Sequence, residues 1–389
     1  MGSEGRSHWP AQQCCYHRQR NAIALEGALF VPPVPTLIHR AIPPVEQRAA
    51  EIVRLTPGPI MCSGVSVLPL HLEQPFATSI KRFGQDVPGP APSYSLSFVI
   101  DRSGRAVDIQ SRPTAYSGFF IDTNDLAPSL ATSTFPSDAP QQKCTITYVA
   151  DLMPVPEAPP SLLYEVASAP TPGAGESEVY ARLSSGGDCA RGPGSPRRLN
   201  YPPFEIIAQP PGTRSWSFLS FDVDADGRTR GIHVLGSSGN AGLDAASTKA
   251  LRDNRYSPRK VSHGCTFHFY RLGSTPITAP AIPPDAPHDN SELPACAIDP
   301  KSIPTLLSGN AYPAQFSARR IEGYAIIGFD TASWGGVGNV RVLASEPDAS
   351  FGQAAIQAIY NASVMQSDAG HRGCVSRVMF RLPKEAATK

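Results

Sequence analysis

The sequence predicts an α+β fold of three tandem units, each a small three-stranded antiparallel sheet covered by one long and one short helix. Six of the eight cysteines fall into three pairs, each separated by about 80 residues, and such regularity indicates an internal repeat. A strand that runs into a tight turn lies about 40 residues before the second cysteine of each pair. An amphipathic helical pattern lies between this turn and the cysteine in two of the three copies.

Composition limits the classes of protein to consider. The chain has 389 residues, enough for roughly two to four domains. Apolar residues make up 41% and aromatic residues 8%, which suits several modest cores better than one large core. The formal net charge is +1, so no basic face is indicated and nucleic acid is not an expected partner.

Each unit is predicted to begin with a short helix, followed by a strand. Proline fits the first turn of a helix because its missing N–H has no partner there, and Tyr312-Pro313 and Tyr201-Pro202 are so placed. Copy one offers only Pro75-Phe76. The strands that follow are predicted at Tyr94 to Asp101, Ser217 to Asp224 and Tyr324 to Asp330.

A tight turn leads from this strand to a second one. Ser103-Gly104 and Asp226-Gly227 are hairpin signals, because glycine accepts the positive φ that tight turns need. The second strands are predicted at Ala106 to Gln110, Thr229 to Leu235 and Asn339 to Leu343.

The longer helix and the last strand complete the unit. Apolar residues recur at three- and four-residue steps over Ala241 to Asn254 and over Ser350 to Asn361. In copy one Pro128 interrupts the pattern, so a short or displaced helix is expected there. Each last strand contains the late cysteine and closes on a leucine, at Leu152, Leu272 and Leu382.

These patterns divide the chain. The leader 1–57 shows no comparable periodicity and is predicted to be largely disordered. The units are placed at 58–152, 178–272 and 290–385. The segment 153–177, rich in Pro, Ala, Ser and Gly, and the proline-rich segment 273–289 are predicted to be extended, solvated linkers.

Copy two contains the hairpin Phe221 to Arg228, the paired serines Ser237-Ser238 and the helix start Leu243 to Ala246 in this order. With these motifs it resembles the C-terminal domain of the TonB family. Copy three resembles the front half of the same domain through Tyr312-Pro313-Ala314 and Gly323 to Ile326, and copy one is a degenerate match. The resemblance covers roughly residues 58–385.

The resemblance also implies an N-terminal membrane anchor, a proline-rich spacer and one such domain, as in energy transducers. Here the most apolar stretch, Ala22 to Ile38, contains Glu26 and three prolines, so no transmembrane helix is expected. Met1 to Arg20 lacks the apolar core of a signal peptide. Binding is therefore expected, while energy transduction stays open.

The cysteines are not part of the family pattern. Their similar placement in three diverged copies favours disulfides over random core usage, and each would close a loop of about 80 residues worth about 4 kcal/mol. Disulfides imply an oxidising compartment, here the periplasm. The alternative is buried free thiols in a cytosolic protein. The expected pairs are Cys62–Cys144, Cys189–Cys265 and Cys296–Cys374.

Other motifs that could carry chemistry have simpler structural explanations. Asp222, Asp224 and Asp226 match the first half of a calcium loop, but His233 stands where a glutamate is required. No zinc-ligand spacing occurs, and neither a metal nor a cofactor is expected.

Two histidine–cysteine motifs and one cysteine pair remain. His263-Gly264-Cys265 and His371-Arg372-Gly373-Cys374 would give a thiol nucleophile only if these cysteines were free. No catalytic residue is therefore expected. Cys14 and Cys15 are expected to lie in the disordered leader, with metal binding or an intermolecular disulfide as the alternatives.

In the TonB family the final strand is an edge that accepts an extended peptide from an outer-membrane receptor. The resemblance therefore implies a non-enzymatic periplasmic protein that binds TonB-dependent receptors or other envelope proteins by strand addition, related to transport across the outer membrane. A structural or assembly scaffold of the envelope, with its edges buried between units, is the alternative, and a thiol-dependent or hydrolytic enzyme is third. The candidate peptide-binding residues are Thr266, His268 and Tyr270 on one strand and Val375, Arg377 and Met379 on the other.

Overall fold

Mixed α+β structure with several antiparallel sheets accounts for the part of the chain that can be described. The computed structural model describes residues 49–81, 91–112, 121–137, 141–169, 173–189, 196–257, 261–298 and 312–382. All of them belong to one unit, Val45–Lys389, whereas Met1–Pro44, with Cys14 and Cys15, lies outside the described residues.

The first sheet has seven strands, and the helix of its own repeat, α1, packs against β6. Its longest strand, β7, is paired with β5 on one side and with both β1 and β2 on the other. The elements are β1 (Glu51–Pro57), β2 (Ile60–Cys62), β3 (Val65–Val67), β4 (Thr78–Ile80), β5 (Ser93–Ile100), β6 (Ala106–Arg112), α1 (Leu126–Thr132) and β7 (Gln141–Pro154).

Two helices separate the first sheet from the second, which has three strands in the order β10-β9-β12. Strands β8 and β11 form a separate two-stranded sheet. The elements are α2 (Pro160–Ala167), α3 (Glu176–Leu183), β8 (Pro196–Arg198), a 3₁₀ turn (Phe204–Ile206), β9 (Arg214–Val223), β10 (Thr229–Ser237), α4 (Ala241–Asp253), β11 (Arg255–Tyr256) and β12 (Ser262–Leu272).

The third sheet also has three strands, in the order β14-β13-β15. The elements are a 3₁₀ turn (Pro294–Cys296), α5 (Ala314–Ala318), β13 (Gly323–Thr331), β14 (Val337–Glu346), α6 (Ala349–Tyr360) and β15 (His371–Phe380). The order strand, hairpin, strand, helix, strand thus occurs three times along the chain.

The helices begin where the sequence supplies a cap. The Asn240 side chain accepts a hydrogen bond from the Leu243 N–H at 3.1 Å at the start of α4, and Asp348 accepts one from Ser350 at 2.8 Å at the start of α6. Their apolar faces, such as Leu243 with Leu251, are fully buried against the sheets. Helix α1 has only seven residues, as Pro128 predicts.

The three hairpins share a turn that only glycine can occupy. In each, a glycine N–H bonds to the carbonyl three residues before it, and the glycine carbonyl accepts the N–H of a residue that follows the helix. A Cβ on any of these glycines would lie 2.0–2.3 Å from that residue's carbonyl oxygen. Their φ values are positive, from 75° to 87°. The glycines are Gly104, Gly227 and Gly335, and the residues after the helices are Phe135, Tyr256 and Val364.

This geometry corrects the alignment of the third hairpin. Its corner is Ala332, which accepts the Gly335 N–H as Asp224 accepts that of Gly227. Asp330 instead corresponds to Asp222, because both side chains accept a backbone N–H from the last strand of their sheet. The predicted strand ends Asp224 and Asp330 are therefore not equivalent, and the predicted end in the third copy is offset from that in the second by two residues.

Among the described residues the apolar core consists of three clusters, two of which span more than one of the three main sheets. One cluster joins the first sheet to the third, with Ile109 and Phe98 in the same core as Phe329 and Phe351. A second cluster links Ile52 of the first sheet to Trp216 and Phe218 of the second through the buried face of α2. The three sheets are therefore held together by shared cores.

Three sequence expectations are corrected by this packing. The leader 1–57 was expected to be largely disordered; residues 1–48 lie outside the described residues, but its end forms β1, a buried strand whose Ile52, Val53 and Leu55 belong to the cores. The linker 153–177 was expected to be extended, but it forms α2 and the start of α3, with Leu163 and Val166 buried. The first sheet was expected to have three strands and has seven, because the leader and the segment before β5 add strands to it.

Candidate functional site

The last strand of each repeated arrangement offers a candidate site along its outer edge, the side that faces away from β5, β9 or β13. The three strands, β7, β12 and β15, occupy equivalent positions. Each carries a cysteine that lies directly opposite a phenylalanine of the neighbouring strand. The opposed residues are Cys144 and Phe98, Cys265 and Phe221, and Cys374 and Phe329.

The outer edge of β7 is covered by the chain itself. Strand β1 pairs with it antiparallel from Glu51 opposite Pro154 to Pro57 opposite Tyr148. The Gly58 N–H bonds to the Thr147 carbonyl at 2.8 Å, and β2 continues the pairing. This edge is therefore inside a sheet and is closed to an added strand.

The outer edge of β15 is covered by a short segment of the predicted linker 273–289 and the residue after it. The Asn290 N–H bonds to the Val375 carbonyl at 3.1 Å, and its side-chain oxygen accepts the Val375 N–H at 2.7 Å. The Asp289 carboxylate accepts the Arg377 N–H at 2.9 Å. Two of the three candidate residues on this strand thus already have backbone partners, while Met379 is exposed at the end of the edge.

At the start of β12 the outer edge is occupied, since Asp188 accepts the His263 N–H at 2.6 Å and donates to the His263 carbonyl at 3.0 Å, but from Thr266 onward the edge is open among the described residues. The bond from the Gly273 N–H to the Thr213 carbonyl fixes the alternation, so Thr266, His268 and Tyr270 point their backbone N–H and C=O groups away from β9. No partner for these groups occurs among the described residues. The pairing with β9 is unbroken from Cys265 to Leu272, so the edge is regular. Regular unpaired edges are templates for strand addition.

Aromatic side chains line this open edge. The rings of Phe267 and Phe269 are 5.0 Å apart, and the His268 ring stacks near Phe218 on β9 and Tyr180 on α3, with centroids 6.4 Å and 6.3 Å away. Burial lowers the pKa of His268 from its usual value. The ring is therefore neutral at pH 7, and the stretch Thr266 to Tyr270 carries no charge.

Exposed apolar side chains lie beside the same edge. Tyr201 is 62% exposed and meets the Phe269 ring edge-on, with centroids 6.3 Å apart. Tyr270 itself is 39% exposed. Large exposed apolar groups next to an open edge are typical of a protein-binding surface.

The opposite edge strands of the second and third sheets are less regular. The register of β10 shifts twice against β9, and that of β14 shifts twice against β13. Such bulges twist an edge and reduce its ability to pair with another strand.

The six paired cysteines are disulfide-bonded as Cys62–Cys144, Cys189–Cys265 and Cys296–Cys374. The cysteines next to His263 and His371 therefore hold no free thiol, and a thiolate nucleophile is unavailable there.

Neither a metal-binding nor a membrane-spanning element occurs in the described ranges. In the segment that matches only the first half of a calcium loop, the Asp224 carboxylate accepts the N–H groups of Asp226 and Arg228, and Asp222 accepts that of Gly264. The described residues contain no cluster of three or more His, Cys, Asp or Glu suited to a metal ion. Within those residues, too, no helix combines the length and apolarity needed to cross a membrane.

A buried arginine in the part of the chain that forms the third sheet bonds to residues in the parts that form the first and the second. Arg319, after α5, is fully buried, and its guanidinium binds both oxygens of Asp125 at 2.6 Å and Glu73 at 2.8 Å. It also donates to the carbonyls of Gly212 and Gln74, each at 2.9 Å. Burial alone would lower the pKa of Arg319, but the two carboxylates outweigh it and raise the pKa.

Sequence reasoning found the strands but missed what covers them. The alternation that groups Thr266 with His268 and Tyr270, and Val375 with Arg377, was readable from the period of a strand. The cover of β15 by Asp289 and Asn290 could not be predicted in this way. Two polar residues in a proline-rich segment indicate a turn, and they do not show which strand they bond to.

Residues 200–269 and 308–380 each match the family model described as Gram-negative bacterial TonB protein C-terminal. The first match contains β9, β10, α4 and most of β12, and the second contains α5 and all of the third sheet. The predicted resemblance is confirmed over these two segments, and the matched family is one of non-catalytic, protein-interacting domains. No curated protein matches the chain. Together the family match and the disulfides indicate an envelope or periplasmic location.

Proposed function

We propose that this protein binds an extended peptide segment of an envelope protein, such as a TonB-dependent receptor, by strand addition to the outer edge of β12. The observation that carries the proposal is the open, regular edge at Thr266 to Tyr270, on a strand whose residues up to 269 lie within a match to the TonB C-terminal family. Main-chain hydrogen bonds would supply affinity, and the alternating faces of β12 would choose the side chains.

The chemistry of this edge favours an apolar peptide. An added strand would place alternate side chains beside Phe267 and Phe269 on one face and beside His268 and Tyr270 on the other. Cross-strand aromatic and β-branched pairs each contribute about 0.2–1 kcal/mol. A segment rich in valine, isoleucine and aromatic residues therefore fits best.

We further propose that the three repeated arrangements are tandem TonB-like units, the first of them divergent, in a periplasmic protein. The shared glycine turn and the cysteine opposite a phenylalanine support this origin. The disulfides support the compartment. A role in transport across the outer membrane follows only if the partner is a receptor.

Amide NMR with an N-terminal receptor peptide tests the binding proposal. Titration is expected to shift the amides of Thr266, His268 and Tyr270, which face outward. The matched control is the same peptide with N-methyl groups. Methylation of alternate residues that face β12 should abolish binding, while methylation of the residues between them should not, because only one set of N–H groups points at the edge. Equal effects of both sets, or no shift on β12 at millimolar peptide, would reject strand addition at this edge.

A structural scaffold of the envelope is the second candidate. The observation that favours it is the Arg319 cluster, which, with the shared cores, fixes the three sheets in one body. A scaffold would use exposed surface away from β12. Variant Tyr270→Asp separates the two functions, because it should weaken peptide binding and leave an assembly role intact.

A further inference from the structure

We propose that the outer edge of β15 is a second strand-addition site that the protein holds closed with its own Asp289 and Asn290. The inference rests on the proposed function of β12 and concerns the regulation of the equivalent edge. The protein would then have one accessible strand-addition edge, on β12, and a second edge, on β15, that becomes accessible only when Asp289 and Asn290 leave it.

Asp289 and Asn290 replace the groups that a bound strand would present. A paired strand offers each outward residue one N–H donor and one carbonyl acceptor. Asn290 offers Val375 its backbone N–H and its side-chain oxygen, at 3.1 Å and 2.7 Å. Asp289 offers a carboxylate oxygen to the Arg377 N–H at 2.9 Å. Two residues thus satisfy three main-chain groups of the edge.

Further contacts hold the same segment in place. The Asn290 side-chain nitrogen donates to the Gly373 carbonyl at 3.2 Å, and the Arg377 guanidinium donates to the Pro287 carbonyl at 3.3 Å. The pKa of Asp289 is lowered in spite of burial, because its carboxylate accepts several hydrogen bonds. The blocking group is therefore ionised at neutral pH, which strengthens its bond to the Arg377 N–H.

The blocking segment is also tethered next to the edge that it covers. Cys296, six residues after Asn290, is disulfide-bonded to Cys374, the neighbour of Val375. A tethered group competes at a high effective concentration, so a free peptide must displace it. The corresponding stretch of β12 has no such cover among the described residues. The segment after Pro287 therefore sets which of the two edges a peptide meets first.

Hydrogen exchange tests the closure directly. In the wild-type protein the amides of Val375 and Arg377 should exchange slowly, whereas the outward amides of β12 exchange fast. In the double variant Asp289→Ala/Asn290→Ala, loss of these bonds should speed exchange at Val375 and Arg377 by about tenfold or more. The matched control is Asp285→Ala/His288→Ala, two exposed positions of the same linker, which should change neither amide.

Peptide stoichiometry tests the consequence. With the receptor peptide as probe, calorimetry and amide shifts should give one site per wild-type chain, on β12, and two sites in the double variant, the second on β15. Asp289→Asn with Asn290 intact should keep the edge closed, since an amide oxygen still accepts the Arg377 N–H. Retained melting temperature shows that each variant is folded.

The outcomes separate the two proposals. Shifts on β12 in both proteins, with no second site on β15 in the double variant, would overturn the closed-edge inference alone. Shifts on β15 in the double variant without any on β12 would overturn the proposed function of β12 and support the closure. Fast exchange of Val375 and Arg377 in the wild-type protein would also overturn the closure.

Discussion

Replacing Arg319 by methionine should destabilise the whole body of the protein. Arg319 is 0% exposed and makes five hydrogen bonds, three of them to the carboxylates of Asp125 and Glu73. Its guanidinium also lies 4.0 Å from the centre of the Phe76 ring. Methionine fills much of the same volume but leaves the carboxylates of Asp125 and Glu73 without their guanidinium partner.

The structure allows the magnitude to be worked out. Removal of one partner from a buried, hydrogen-bonded ion pair costs about 3–5 kcal/mol. Unfolding entropy is about 2.1 cal/mol/K per residue, which amounts to about 0.7 kcal/mol/K for a body of this size. The melting temperature should therefore fall by about 4–7 °C.

Differential scanning calorimetry at pH 7 measures this shift, and two variants serve as controls. Arg54→Met removes a half-exposed arginine that pairs with Glu165, and it should cost less than about 1 kcal/mol. Arg319→Lys keeps the charge but loses the paired bonds to Asp125, so it should fall between. If Arg319→Met melted within 1 °C of the wild-type protein, the argument that this arginine joins the three sheets would be refuted.

Three further predictions concern the turns, the pH response and the disulfides. Gly227→Ala should lower the free energy of unfolding by more than about 2 kcal/mol, because its Cβ would lie 2.0 Å from a carbonyl oxygen. Gly239 also has a positive φ but has open space around it, so Gly239→Ala should lower the same free energy by only about 1 kcal/mol. Chemical denaturation measures both. Burial, with nearby Asp108 and Asp101, raises the pKa of Glu346 from 4.5 to about 7, so stability should fall as pH rises from 4.5 through 7, and Glu346→Gln should remove that slope. Replacing both Cys296 and Cys374 by serine opens a loop of 78 residues and should cost about 4 kcal/mol in urea unfolding.

Each of these predictions has a contrary outcome. Equal losses for the two glycine variants would mean that backbone conformation alone, without the carbonyl clash, sets the cost. Glu346 holds its proton more strongly in the folded than in the unfolded protein, so its contribution to stability should fall as the pH rises. If the wild-type protein gained stability relative to Glu346→Gln over pH 4.5–7, the burial argument would be contradicted. Six titratable thiols in Cys62 to Cys374 under denaturing, non-reducing conditions would contradict the disulfides.

The repeated strands were predictable because their signals are local. Strand alternation, glycine at the turns and helical periodicity each depend on a few neighbouring residues, and together they located the hairpins and the long helices. Pro128, which lies in the first turn of α1, limits how far that helix can extend toward its N-terminus. Cysteine spacing added the one long-range signal that a sequence shows directly.

The coverings of the sheets were harder to predict because they depend on partners far away in the chain. Leu162, Leu163 and Val166 lie at a spacing that marks one apolar face of α2. The linker was predicted from its overall composition, in which prolines outweighed this periodicity. Ile52 and Val53 likewise favour a strand in the predicted leader. The bond between Arg319 and Asp125, 194 residues apart, has no local signature at all.

The disulfide on β12 has a mechanical consequence. Cys265 sits at the start of the open stretch and is linked covalently to Cys189, ahead of the whole second sheet. A pull applied along a strand paired with β12 would load the row of interstrand hydrogen bonds in shear. Those bonds, and not the anchorage of β12 in its own sheet, would break first, because the covalent link prevents β12 from being drawn out past Cys265. Under tension such a protein would release the bound peptide strand and stay folded.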